Sequence, residues 1–213
     1  MSVEGVNLEA TTIVGRYFNL RGTGDVFQYS VNNISTNGFD ASAKLNLGSA
    51  RASLDIYPFP NHGLRFSPGV MFYNQNALSG TVTVAGGQDF TLNGMSFTSS
   101  SSNPVTGTVN LGLNTQKPAF TITTGWGNQI SRRGGHLSFP VEVGVALIGT
   151  PGVNLALVSG QVCDSEGNCQ NVATDTQLQS DLQAQIAKYK HDLDPLKTFP
   201  ILSFGVAYNF KIR

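Results

Sequence analysis

Three residues with chemical capacity lie close together in this chain: His136, Ser138 and Glu142. A serine, an imidazole and a carboxylate are the parts with which an ester hydrolase activates its nucleophile. Side chains two apart on a strand share a face, so His136 and Ser138 point the same way. Glu142 shares that face but sits roughly 13 Å beyond Ser138 along a strand. At that distance it does not orient His136. The remaining histidines, His62 and His191, show no metal-ligand spacing with it, and no metal is expected. No G-x-x-x-x-G-K-S/T phosphate loop occurs, so no cofactor is expected either.

Two further sets carry chemistry. Cys163 and Cys169 bracket the turn-forming run D-S-E-G-N, and no other cysteine exists. The pair suits a local disulfide formed in an oxidising compartment, and it is too small a ligand set for zinc. Arg21, Asp25, Lys44, Arg51, Asp55, Arg65 and Glu142 each fall on the polar side of an alternating stretch. On a soluble sheet they would form a solvated face. In a narrow lumen they must pair with one another, as a network that plugs it or as the lining of a path for small polar solutes.

Strands are the elements that must position these residues. The last stretch, Pro200 to Arg213, places Leu202, Phe204, Val206, Tyr208, Phe210 and Ile212 on one parity and mostly small or polar residues on the other. Leu137 to Leu147 alternates as cleanly, with Phe139, Val141, Val143 and Val145 opposite Ser138, Glu142 and Gly144. Phe66 and Val70 continue the apolar set in an earlier segment, and Val6 to Thr12 forms a first strand with Asn7, Glu9 and Thr11 opposite. From Phe39 to Phe59 the apolar residues change parity at Gly48-Ser49, where a β-bulge is expected. Strands this long, apolar on one side and small-polar on the other, suit a wall between lipid and a polar lumen.

Composition agrees. The chain of 213 residues is 40% hydrophobic and only 12% charged, with 24 glycines and no net charge. Charged residues are about half as frequent as in soluble domains. Near-zero charge with scattered Lys and Arg argues against nucleic acid as a partner. No apolar run is long enough for a transmembrane helix, which does not bear on barrel strands. Met1 to Glu4 lacks the basic and apolar parts of a secretory signal, so an exported chain would begin here in mature or trimmed form; a cytoplasmic protein is the competing reading.

The terminal strand with its aromatic pair Tyr208 and Phe210 resembles the C-terminal strand of bacterial outer-membrane β-barrels, although Lys211, Ile212 and Arg213 follow it. The chain as a whole resembles the small OmpA/OmpW-type barrels. That resemblance implies one domain over 1–213, an all-β antiparallel up-and-down transmembrane barrel of about eight strands in the bacterial outer membrane. It also implies lipid around the wall and an assembly machinery that reads the last strand. His136 and Ser138, two apart on a strand, are similar to the pair of the outer-membrane lipid A deacylases. The turn before His136 falls on the periplasmic side, away from external lipid A.

Two segments stand outside the wall. The Ser/Thr/Gly-rich stretch 75–104 reads as a long loop that holds a small hairpin or is variable. The segment 159–198 holds the cysteine pair and one helix, Asp175 to Leu193, with the apolar stripe Leu178, Leu182, Ile186, Tyr189 and Leu193. Short and long connections alternate, which places both segments externally. The wall then has seven strands if 136–158 is one bent strand, or eight if Thr150-Pro151-Gly152 is a hairpin. The expected function is a non-enzymatic barrel with a surface-interaction or envelope role and an unnamed external ligand. A narrow solute channel, a lipid-modifying hydrolase and a soluble secreted β-protein are the alternatives.

Overall fold

The computed structural model describes residues 2, 5–59, 62–112, 118–130, 136–164 and 167–210. Strand β1 (Val6–Ile13) turns into β2 (Phe18–Thr36), which turns into β3 (Phe39–Ile56). The second turn is Asn37-Gly38, with φ of 50° and 82°. That is the I′ geometry whose twist matches paired strands, and Asn-Gly adopts it at low cost. β4 (Arg65–Asn74) and β5 (Ala77–Val84) lead to a hairpin of β6 (Asp89–Leu92) and β7 (Met95–Ser99) over Asn93-Gly94, again at positive φ. β8 (Thr106–Gly112), β9 (Ala119–Trp126), β10 (Leu137–Ser138), β11 (Val141–Leu147) and β12 (Gly152–Ser159) follow. β13 (Gln161–Cys163), β14 (Cys169–Asn171), helix α1 (Thr176–Leu193), β15 (Thr198–Phe204) and β16 (Ala207–Tyr208) complete the chain.

The wall runs β1-β2-β3-β4-β9-β11-β15, every pairing antiparallel. The β10–β16 pair prolongs β11–β15 toward the end with the short turns. The described residues thus supply seven of the about eight strands expected. Six successive antiparallel steps leave β1 and β15 pointing the same way. A single antiparallel bridge, Ser2 to Ser203, joins this seam among the described residues. β11 and β12 run in one sense through a bend at 148–151, so 136–158 is a bent strand and Thr150-Pro151-Gly152 makes no hairpin.

The sheet branches at β3. The C-terminal half of β3 pairs with β4, and its N-terminal half pairs with β5, which continues to β8 and β12. The branch is pinned by hydrogen bonds: the Gln75 N–H donates to the Gly48 carbonyl at 2.7 Å and the Gly48 N–H to Asn76 Oδ1 at 2.8 Å. Against β2 the bulge expected at Gly48-Ser49 is absent; against β4 the register shifts by one residue between Ala50 and Arg51, with the extra residue on β4 and not on β3. β2 and β3 stay in register from Phe18↔Ile56 to Val31↔Ala43, so each face is continuous along the strand. What inverts is the surroundings. Below Val26↔Gly48 the outward face is apolar and the inward face polar; above it the outward face is polar and the inward face apolar. The apolar parity thus passes from the outer to the inner face above this level, where Leu45 and Leu47 of β3 are half-buried while Phe27 and Tyr29 of β2 stay exposed.

That second core joins Val84, Val105, Val162, Val172 and Leu178, with Phe39, Phe90, Phe97 and Leu157 packed around it. Helix α1 closes it. The Asp175 side chain caps the helix by accepting from the Leu178 N–H at 3.0 Å. Leu178, Leu182 and Ile186 are buried and Leu193 half-buried, whereas Tyr189 is exposed and does not belong to the stripe. The helix also docks on the loop 75–104, because the Asn93 N–H donates to Gln185 Oε1 at 3.0 Å and Asn93 Nδ2 to Asp181 Oδ1 at 3.2 Å.

The outward apolar set is exposed as a belt: Phe66, Phe120, Ile122, Val141, Val143, Val145, Leu202 and Phe204 all face away from the interior. Val70 is half-buried. Along β2 the belt runs from Phe18 to Val26, roughly 26 Å of strand and about 20 Å in height at a ~40° tilt, against an apolar band about 25 Å tall in transmembrane barrels.

Candidate functional site

The inward parities bring the charges together. Glu142 on β11 receives Arg21, Arg51 and Arg65 at once: Arg51 Nη2 lies 3.1 Å from Oε1, Arg65 Nη2 3.0 Å from Oε2, and Arg21 Nη1 also contacts Oε2. Arg21 further reaches Asp55 at 3.0 Å and Glu9 at 3.4 Å. Three guanidiniums therefore face three carboxylates, and all but Glu9 are essentially buried. Gln129 ties Glu9 into the set, donating to Glu9 Oε2 while accepting from the Thr11 hydroxyl at 2.8 Å. Asp25 is buried beside this network, accepting from the Ser2 hydroxyl at 2.8 Å and the Ser49 hydroxyl at 3.4 Å. Glu9 and Gln129 join the charges expected from the sequence. Glu9 shares its parity with Asn7 and Thr11, a usable signal, whereas Gln129 lies in a turn with no periodicity to place it.

A second layer lies on the mouth side of Glu142. Met71, Ala119, Ala146, Ile148 and Ile201 form a buried apolar cluster with Phe199 against it. The interior is thus filled by a neutral ion-pair layer and an apolar layer, the filling expected of a small barrel.

Lys44 does not join the network. It is exposed, on the outward face of β3 above the apolar belt. Reading a bulge at Gly48-Ser49 placed it inward; the straight strand places it outward.

The hydrolase set is not assembled. Glu142 is engaged by three arginines, and exposed His136 stacks on Tyr208 with ring centroids 5.9 Å apart, its Nδ1 3.3 Å from the Asn209 carbonyl. Ser138 is half-buried on β10. Arg132 and Arg133 of the preceding turn, like Lys211, Ile212 and Arg213, lie outside the described residues. Among the described residues no group of His, Cys, Asp or Glu could hold a metal, and no helix is long and apolar enough to cross a membrane.

Cys163 and Cys169 form a disulfide across the β13–β14 pair. A cavity of about 580 Å³ opens along the seam, between Asn7–Thr11 of β1 and Ser203–Phe210 of the terminal strands, and reaches Arg65 and Gln129.

No protein-family model matches the sequence, and no characterised protein matches it by sequence. Solved structures do match. The crystal structure of Acinetobacter baumannii CarO is similar with a TM-score of 0.60 and 18% identity, over 98% of this chain and 94% of that one. A. baumannii CarO2 is similar with a TM-score of 0.61 and 22% identity over the same shares. With the apolar belt, the polar interior and the helix before the last strands, this likeness gives the chain the fold of the small bacterial outer-membrane β-barrels.

Proposed function

We propose that this chain is a non-enzymatic outer-membrane barrel whose filled wall anchors an external platform serving surface interaction or envelope integrity. The carrying observation is the double closure of the interior, by the Arg21–Arg51–Arg65–Glu142 layer and by the Met71–Ile148–Ile201 layer. The platform is the inverted part of β2 and β3 with β5, β8, β12 and α1. It sits at the end with the long connections, which in such barrels faces outward. Lipid surrounds the belt, and the strand ending in Tyr208 and Phe210 is the segment an assembly machinery would read. The outer-membrane likeness supports this location.

A narrow pathway for small solutes is the second reading, favoured by the seam cavity that reaches Arg65. Planar-bilayer recording separates the two. A filled barrel gives no steady conductance. Steady conductance that is lost on charge reversal at Arg21, Arg51 or Arg65 would establish the channel.

A further inference from the structure

The outward face of the platform carries a polar row that follows directly from strand register. Ser30 pairs with Lys44, Lys44 with Ser79, Ser79 with Asn110, and Asn110 with Asn154. Cross-strand partners share a face, so five strands present hydroxyls, amides and one ammonium in a line. The next row adds Ser42, Thr81 and Thr108, again in register. The face is a shallow cleft of about 540 Å³ whose lining includes no carboxylate. Lys44 is its one charged group, is exposed, and makes no ion pair among the described residues.

Position narrows the ligand. The cleft is the upward continuation of the lipid-facing surface, because β3 has no bulge against β2 between Leu54 and Lys44. The apolar belt ends at Val26↔Gly48, and Lys44 lies four residues higher, about 13 Å along the strand and about 10 Å in height at a ~40° tilt. A phospholipid headgroup layer is only about 5–8 Å deep. Lys44 therefore stands above phospholipid headgroups, at the height reached by the sugars of a glycolipid in the same leaflet. Hydroxyls and carboxamides suit sugar hydroxyls, which donate and accept at once. A lone ammonium with no carboxylate nearby suits a phosphate.

We propose that this cleft binds the phosphorylated saccharide headgroup of an outer-leaflet glycolipid, with Lys44 on the phosphate and Ser30, Ser79, Asn110 and Asn154 on the sugars. The inference rests on the membrane-spanning reading, and its test separates the two. The full chain in detergent is titrated, with native mass spectrometry counting bound molecules, against phosphorylated lipopolysaccharide, its dephosphorylated form, phosphatidylglycerol and free glucosamine 1-phosphate. Phosphorylated lipopolysaccharide should be retained at least about ten-fold more tightly than the other three. K44E should remove that advantage, and N110L should weaken the phosphorylated and dephosphorylated glycolipids alike. Equal retention by K44E, equal binding of phosphatidylglycerol, or equal binding of the soluble sugar phosphate would each overturn the assignment. Heat-modifiable migration on a detergent gel checks the barrel in every variant. A wild-type chain that migrates alike boiled and unboiled would remove the membrane reading itself, and this inference with it.

Discussion

Arg65 and Glu142 meet across a glycine. In the β4–β9–β11 register, Arg65 pairs with Gly125 and Gly125 with Glu142, so the two charged side chains share a face two strands apart with nothing between them. A Cβ added at Gly125 would lie 2.9 Å from Arg65 Cζ and would clash with the Val141 carbonyl oxygen. The missing side chain is what lets the guanidinium reach Glu142 Oε2 at 3.0 Å.

Replacing Glu142 should be costly for this reason. E142Q leaves Arg21, Arg51 and Arg65 without their shared carboxylate in a buried site, where removing one ionic partner costs about 3–5 kcal/mol. R51M removes one of three cations and should cost clearly less. Urea unfolding of the refolded barrel measures both, and equal losses would mean that Glu142 is not the hub.

The filled interior was partly legible in the sequence. Arg21, Asp25, Arg51, Asp55, Arg65 and Glu142 follow the polar parity of their strands, and all six are buried. Lys44 followed the same pattern and failed, because alternation records which face is apolar and not what covers it. A parity change reads the same whether the strand bulges or crosses from lipid into water. β2 changes parity at the same level, at Val26 and Phe27, and two paired strands inverting together are better explained by an environment boundary than by two bulges. The small hairpin expected within 75–104 forms over Asn93-Gly94, whereas the polar run Asn32 to Asn37, which reads as a loop, is strand as far as Thr36 and turns tightly at Asn37-Gly38. The branch at Gly48 was not legible, since backbone N–H groups donating to the side-chain oxygens of Asn74 and Asn76 hold it and leave no periodic trace.

The cysteine pair should yield no free thiol in protein from an oxidising compartment. Its six-residue separation closes a short loop, so its contribution should be small, about 2 kcal/mol by chain-entropy reasoning. Thiol titration before and after reduction, with thermal unfolding of C163S/C169S, checks this. Loss of the whole barrel in that variant would contradict a local role.

The helix should detach without the wall. L182D/I186D charges two buried positions of the stripe, which should expose 176–193 to protease while the barrel keeps its heat-modifiable migration. Y189D changes an exposed position and should leave resistance unchanged. Equal resistance in the double variant would show that α1 docks by another face.

The junction after the helix should respond to acid. The Thr150 hydroxyl donates to Asp194 Oδ1 at 2.7 Å, and Lys197 Nζ donates to Oδ2 at 3.2 Å. These hold the Asp194 carboxyl below its ordinary range, Thr150 first. A depressed carboxylate stabilises the folded form above its unfolded pKa and loses that effect as pH falls through the folded value. Amide exchange at 193–197 should therefore quicken as pH drops below the usual aspartate range, after correction for intrinsic rates. D194N should remove that dependence, and a pH response unchanged in D194N would rule out Asp194 as its source.

The central claim is that alternate wall residues face lipid and filled lumen. On β9, Phe120 and Ile122 are 69% and 46% exposed, while Thr121 and Thr123 are 1% and 2% exposed. Spin labels placed singly at 120–124 in a C163S/C169S background, with the protein in lipid vesicles, report collision with oxygen, which concentrates in hydrocarbon. Accessibility should be high at 120, 122 and 124 and low at 121 and 123. Uniformly low oxygen accessibility at all five positions would mean that this strand is buried on both faces between packed sheets, and would contradict the barrel.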